Sequence, residues 1–320
     1  MQRHSSPARG RPQRNLLPSQ QGADGRHRRR GTSHAATTTT AAWPGNDMKL
    51  EIIHSTHYQY TEPIAESVME VRLQPMDGVG QRCLAFKLDI SSGIKPRAYV
   101  DGYGNVVHYF NLVRPHTRLS ITSRATVETG LAPDADAGEE LVHDFLRFRS
   151  PVKDIQGVRD LAREHSVAHP GSAESIEAAL DGLTLAISRD FEYNRAVTNV
   201  YSAVDEVLEL RAGVCQDFAH LFIAVARAMG VPARYASGYI HFADVRGATT
   251  ASHAWGDAWI PGKGWIGYDA TRPVRTSEHH VRLAVGRDYS DAAPTRGIYV
   301  GSANSSMKVR VRTRELQSEA

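Results

Sequence analysis

Arg211-Ala212-Gly213-Val214-Cys215-Gln216-Asp217-Phe218-Ala219-His220 is the stretch around which the chain is organised. A loop ends at Gly213, and a cysteine opens the next segment. There Phe218, Leu221, Phe222, Val225 and Met229 recur at three- and four-residue spacing, one face of an α-helix. Gly230 and then Pro232 stop that helix. Cys215 is thereby placed in the first turn, where unpaired backbone N–H groups and the helix dipole favour a thiolate, the reactive form of cysteine. Taken alone, the stretch fits a small buried hydrophobe equally well.

The balance tips downstream. Residues 251–260 read as a strand, Pro261-Gly262-Lys263-Gly264 as a turn, and Trp265-Ile266-Gly267-Tyr268-Asp269 as the return strand. An antiparallel return brings Asp269 to within a few positions of His253. A thiol, an imidazole to take its proton and a carboxylate to orient the imidazole are the parts of a nucleophilic triad. Asp257 lies on the same strand face as His253 but four residues on, about 13 Å away at ordinary strand rise, too far to orient the ring. Asp257→Asn is therefore expected to be mild. His220 lies out of register on the helix and reads as structural.

Three blocks carry a resemblance: Gly213-Val214-Cys215-Gln216-Asp217-Phe218-Ala219-His220, His253-Ala254-Trp255 and Gly264-Trp265-Ile266-Gly267-Tyr268-Asp269. In this order and spacing they resemble the core of the transglutaminase-like superfamily, in particular the bacterial transglutaminase-like proteins often called transglutaminase-like cysteine proteases. The resemblance implies an α+β, papain-like catalytic core. His57-Tyr58-Gln59-Tyr60, Arg72-Leu73-Gln74-Pro75 and Tyr103-Gly104-Asn105 resemble the β domain that precedes that core in the bacterial family. Animal members use a tryptophan upstream of the nucleophile as an oxyanion donor, yet this chain has no tryptophan between Trp43 and Trp255. Tyr193 or Gln216 could substitute, and Trp255 is a candidate wall of the substrate cleft. Asp269-Ala270-Thr271 also departs from the family's usual Asp-Pro-Thr, which changes the turn and keeps the carboxylate.

Composition sets the remaining bounds. Hydrophobic and charged fractions of 41% and 23% over 320 residues suit a globular protein of two modest domains. No apolar run is long enough to cross a bilayer, and no signal-peptide segment is visible at the N-terminus. The two cysteines, Cys83 and Cys215, exclude a disulfide framework, and a reducing cytoplasm is expected. Residues 1–47 hold eight arginines against two aspartates, so the formal charge of +3 belongs to this tail and the body is acidic. Neither nucleic-acid nor membrane binding is expected of the body. The tail itself reads as a disordered basic extension, an arm for nucleic acid or anionic lipid, or a stretch upstream of a true start at Met48. A chain beginning at Met48 is expected to fold and react like the full one.

From Met48 to residue 130, short alternating runs separated by Gly, Pro and Asn indicate an all-β, sandwich-like domain. His54, His57 and His108 there lack metal-ligand spacing. Residues 131–151 read as an acidic, flexible joint, and 152–320 as the catalytic domain. Within it, helices are expected from about Ile155 to Arg163 and from Ser172 onward, and Ser202-Ala203-Val204-Asp205 reads as a helix N-cap box. Ala233–Ile240 reads as a strand packed on the Cys215 helix, Asp244–Thr250 as a polar loop, and Val309-Arg310-Val311-Arg312 as an edge strand of the catalytic sheet. Gly286-Arg287-Asp288-Tyr289 resembles the bacterial family and reads either as a cleft wall or as ordinary core.

The expected chemistry is acyl transfer on an amide without a cofactor: Cys215 attacks, His253 moves the proton, and Asp269 fixes the imidazole. Hydrolysis of a peptide or protein amide comes first, transamidation second. No His-Glu-x-x-His, paired CxxC, GxSxG or Walker loop supports another chemistry. The alternative is a silent transglutaminase-like domain that binds protein.

Overall fold

The computed structural model describes residues 14–18, 47–78, 80–131, 139–166, 172–242, 249–250 and 252–317. The expected acidic stretch up to residue 138, most of the tail, and residues 244–248 of the polar loop lie outside them.

The chain enters through β1 (Arg14–Leu16) and then β2 (Met48–Ile64), β3 (Glu66–Val71), β4 (Gln81–Ile90), β5 (Arg97–Val100), β6 (Val106–Leu112) and β7 (His116–Thr129). Alternation shapes these strands. Along β2, Leu50, Ile52, His54, Thr56, Tyr58 and Tyr60 are buried while their neighbours are more exposed, the period of a half-buried strand. The helices follow: α1 (Gln156–His165), α2 (Ala173–Asp190), then β8 (Glu192–Tyr193), α3 (Val204–Leu210), β9 (Ala212–Gly213) and α4 (Cys215–Ala228). Next come β10 (Ala233–Ile240), β11 (Thr249–Thr250), β12 (Ser252–Ile260), β13 (Gly264–Asp269), β14 (Val274–Arg275), β15 (His280–Gly286), α5 (Tyr289–Ala292), β16 (Thr295–Val300) and β17 (Ser305–Glu315).

The fold is α+β. Two five-stranded sheets, ordered β1-β16-β3-β6-β5 and β11-β17-β2-β7-β4, share one core in which Leu50, Met69, Phe110, Tyr299 and Val311 are buried. A third sheet, β14-β13-β12-β10-β15, carries α4 on its face. Every residue of α4 from Cys215 to Arg227 is buried, because α1, α2 and α3 cover the side turned away from the sheet. Gly256 on β12 permits that closeness: a Cβ there would lie 2.3 Å from Phe222.

Four expectations change here. Val309–Arg312 is not an edge of the catalytic sheet: β17 pairs with β2 from Ser305↔Tyr60 to Glu315↔Leu50. With β16 it completes the N-terminal sandwich, so the last part of the segment 152–320 belongs structurally to the β unit. A single alternating strand carries no address for its partner, and the sheet with the longer unpaired edge takes it. Second, the tail is not featureless. Arg14, Asn15 and Leu16 pair with Val300, Tyr299 and Ile298, and Leu17 is buried at 5% exposure. Removing residues 1–47 thus removes an edge strand and a core side chain. Third, part of the joint is ordered: a 3₁₀ helix, Glu139–Leu146, sets Phe145 edge-on against Trp265. Fourth, α3 has no side-chain cap, and Ser202 Oγ instead accepts the Asn199 N–H. Ser172 does cap α2, accepting the Ser175 N–H.

The sandwich and the third sheet share buried side chains. Tyr239 of β10 and Val281 and Leu283 of β15 belong to the sandwich core, and Tyr239 Oη lies 2.8 Å from Nδ1 of the buried His54.

Candidate active site

Cys215 is the first residue of α4 and is 5% exposed. What positions it is Asp217, whose Oδ2 accepts the Val214 N–H at 2.8 Å and the Thr198 hydroxyl at 2.6 Å. The carboxylate therefore satisfies a helix-start donor and ties the turn to the loop before α3. Gly213 leaves room for it, since a Cβ there would stand 2.7 Å from Asp217 Cβ. The run Gly-Val-Cys-Gln-Asp is a single local device for presenting a thiol.

The register of the β12–β13 hairpin explains the other two groups. Gly256 pairs with Tyr268, so Asp269 reaches the level of Trp255, two residues from His253 and on the same face. His253 Nε2 lies 2.7 Å from Asp269 Oδ2. That leaves Nδ1 for Cys215, which borders the same cavity as the ring. Burial by itself would lower the His253 pKa, but the Asp269 carboxylate, and then Cys215, outweigh it and raise it to about 10. Burial works against the charge on Asp269 too, and the imidazolium overcomes it, holding the carboxyl well below its usual range. Its other oxygen accepts the Thr271 N–H at 3.0 Å, so replacing proline by Ala270 after Asp269 leaves the carboxylate anchored.

Cys215 and His253 border a cavity of about 20 Å³, roughly the room of one water molecule, which Tyr235, Tyr289 and Pro294 also line, while Asp269 sits behind the ring. Tyr289 is where the Gly-Arg-Asp-Tyr segment reaches the site. Its backbone N–H donates to Nε2 of His220, which is structural as expected.

The remaining candidates separate. Gln216 lines the cavity, but its amide donates to the Val200 carbonyl at 3.1 Å. Tyr193 stands near Cys215; burial first, then the nearby Cys215, push its phenol up to about 12 and keep it a neutral O–H donor. Trp255 is no cleft wall. It is 1% exposed, and its indole N–H is spent on Asp257 at 2.9 Å. Asp257, fully buried, also accepts Arg234 at 3.1 Å and Arg282 at 2.8 Å, which makes it an ion-paired core group whose loss bears on stability.

One residue escaped the sequence reading. His280 Nδ1 accepts the Ser277 N–H at 3.1 Å, so its proton sits on Nε2, which faces Asp269 Oδ2 at 3.6 Å. The ring is buried edge-on to Trp255, and burial lowers its pKa. Only the pairing of β15 with β10 brings it there, and no local pattern announces that.

This combination of fold and site defines a class. Residues 164–270, spanning all three groups, match the transglutaminase-like superfamily, and residues 50–128 match the bacterial transglutaminase-like N-terminal region. The chain belongs to the transglutaminase-like superfamily, with a cysteine-protease-like fold. An uncharacterized protein of Mycobacterium leprae is 33% identical over 285 residues, covering 82% of this chain and 97% of its own. One of Mycobacterium tuberculosis is 32% identical over 291 residues, covering 82% and 91%. Among solved structures, a candidate cysteine protease of Cytophaga hutchinsonii superposes with a TM-score of 0.68 at 26% identity, over 86% of this chain and 93% of that one.

Proposed function

We propose that the chain is a thiol-dependent hydrolase of peptide or protein amides. The observation that carries this is His253 hydrogen-bonded to Asp269 at 2.7 Å and sharing one cavity with Cys215, the first residue of α4. Cys215 Sγ forms a bond to the amide carbon, the C–N bond breaks, and the amine leaves with the proton from His253 Nδ1. Water then attacks the thioester, His253 takes its proton, and the acid departs as the thiol is restored. Asp269 holds the ring with Nε2 turned to it. The Cys215 backbone N–H, one of the first-turn donors without an intrahelical acceptor, is placed to receive the oxyanion. With Gln216 and Trp255 committed elsewhere, Tyr193 is the second donor we assign. Transamidation is the same path with an amine in place of water.

The test begins with the thiol. Iodoacetamide at pH 6 is expected to label Cys215 and spare Cys83, whose thiol burial, and then Asp77, push up to about 11. Casein cleavage is expected from the wild type and not from Cys215→Ala. The small size of the cavity is the observation favouring the alternative, a silent protein-binding domain. A Cys215 no more reactive than Cys83, with no cleavage, would decide for it.

A further inference from the structure

The edge of β16 is where the molecule shows an unabsorbed feature. A three-residue strand, β1, lies antiparallel on it: Leu17 donates its N–H to the Gly297 carbonyl at 3.0 Å, and Asn15 Nδ2 donates to the Gly301 carbonyl at 2.5 Å. We propose that this edge is a docking strip for an extended peptide, the part of a substrate chain that leads to Cys215, and that residues 14–18 cover it in the resting protein. The substrate named here rests on the hydrolase reading above; the docking strip does not.

Three observations point the same way. First, the recognition is main-chain pairing with one side-chain socket. Leu17 occupies the space over Gly297, where a Cβ would stand 2.8 Å from its Cδ1, while Leu16 is 65% exposed. Backbone pairing plus a pocket for one side chain is how a sheet edge takes an added strand. Second, the direction is right. Residues 14 to 18 run from Val300 towards Thr295, and the residue before Thr295, Pro294, lines the Cys215 cavity. Third, the strip has an opposite wall. A groove of about 360 Å³ separates Leu17 and Pro18 from Val200, Tyr201 and Ser305. The Val200 carbonyl receives the amide of Gln216, the neighbour of the nucleophile. One wall thus leads to the Cys215 cavity, and the other holds the side chain next to Cys215. Three paired residues are a weak hold, easily exchanged for a longer strand.

The test uses the full chain as Cys215→Ala, so that no probe is consumed, with and without Leu17→Asp, which places a carboxylate in the apolar socket and expels the segment. The probe is a fluorescein-labelled peptide of residues 11–20, read by anisotropy. The Leu17→Asp chain is expected to bind it at least about tenfold more tightly than the chain with Leu17, because in the latter the strip is open only part of the time. A probe carrying aspartate at the Leu17 position is expected to lose binding. Equal affinity for both chains, or indifference to the probe's leucine, overturns the proposal. Leu17→Ala serves as a second variant should the aspartate lower the folded fraction. In a second arm with Cys215 intact, Leu17→Asp is expected to cleave casein several-fold faster than wild type, and a slower or equal rate overturns the covering role. Selective probe binding with no cleavage by either chain upholds the strip and sinks the hydrolase reading instead.

Discussion

Asp269 and Asp257 are both fully buried on paired strands, and their partners decide their work. Asp269 meets one histidine at 2.7 Å, whereas Asp257 meets two guanidinium groups and an indole. Asp269→Asn is expected to keep the fold and lower kcat by on the order of 10³–10⁴, because the amide favours the wrong histidine tautomer. Asp257→Asn is expected to cost about 3–5 kcal/mol of stability, since it leaves Arg234 and Arg282 buried against no countercharge. Steady-state rates and urea midpoints for both variants separate the roles; a Asp257→Asn chain that loses rate at full stability would refute the assignment. His280→Asn keeps an acceptor for the Ser277 N–H and removes the donor facing Asp269. It is expected to lower kcat several-fold at unchanged KM and to shift the acid limb of the pH–rate profile, which a merely structural change leaves in place. The pKa of His253 is raised from 6.5 in the unfolded chain to about 10 in the folded one. Its contribution to stability is therefore complete below pH 6.5 and lost as pH rises through 10. The thermal midpoint of the wild type is expected to fall over that window more steeply than that of His253→Gln.

Among the elements, α4 and the β12–β13 hairpin were readable because their signals are local. Apolar spacing, a terminal glycine and a four-residue turn specify a helix and a hairpin whatever surrounds them. The hairpin register then places Asp269 by geometry alone. The space around these elements was not readable. Gly256 in β12 looks like a strand-weakening residue, yet it is the point where Phe222 comes closest. Gly256→Ala is expected to destabilise by about 1–3 kcal/mol through overpacking. A denaturant midpoint unchanged from wild type would show that α4 can shift away at no cost. β1 escaped because three residues are too few for a period to register, and β17 because an alternating strand fits any unpaired edge of matching polarity.

At the scale of the molecule, the sandwich and the sheet that carries α4 are bolted together through His54, which lies between Tyr239 Oη at 2.8 Å and Thr56 Oγ1 at 2.9 Å. Burial lowers its pKa to about 3, so it is neutral in the folded chain. Its contribution to stability is whole above pH 6.5 and lost as pH falls towards 3, because the unfolded chain takes up the proton first. His54→Gln is expected to be less stable at pH 7 and to decline less between pH 6.5 and 4. Parallel declines of the two chains would mean that water reaches the histidine.

The sequence by itself determined the class of fold, the helix that presents Cys215, and the partners His253 and Asp269, because each rests on periodicity, turn chemistry or hairpin register within a few tens of residues. Only the tertiary structure decided what lies around them: Asp257 between two arginines, His280 behind Asp269, Leu17 over Gly297, and the return of β16 and β17 to the first domain. The last two join residues more than 220 positions apart, and the first two, though nearer in sequence, need the pairing of β10 with β12 and β15. Pairing at such distances is chosen by which buried groups and open edges fit together once the chain has collapsed, a competition among all segments that no single segment records.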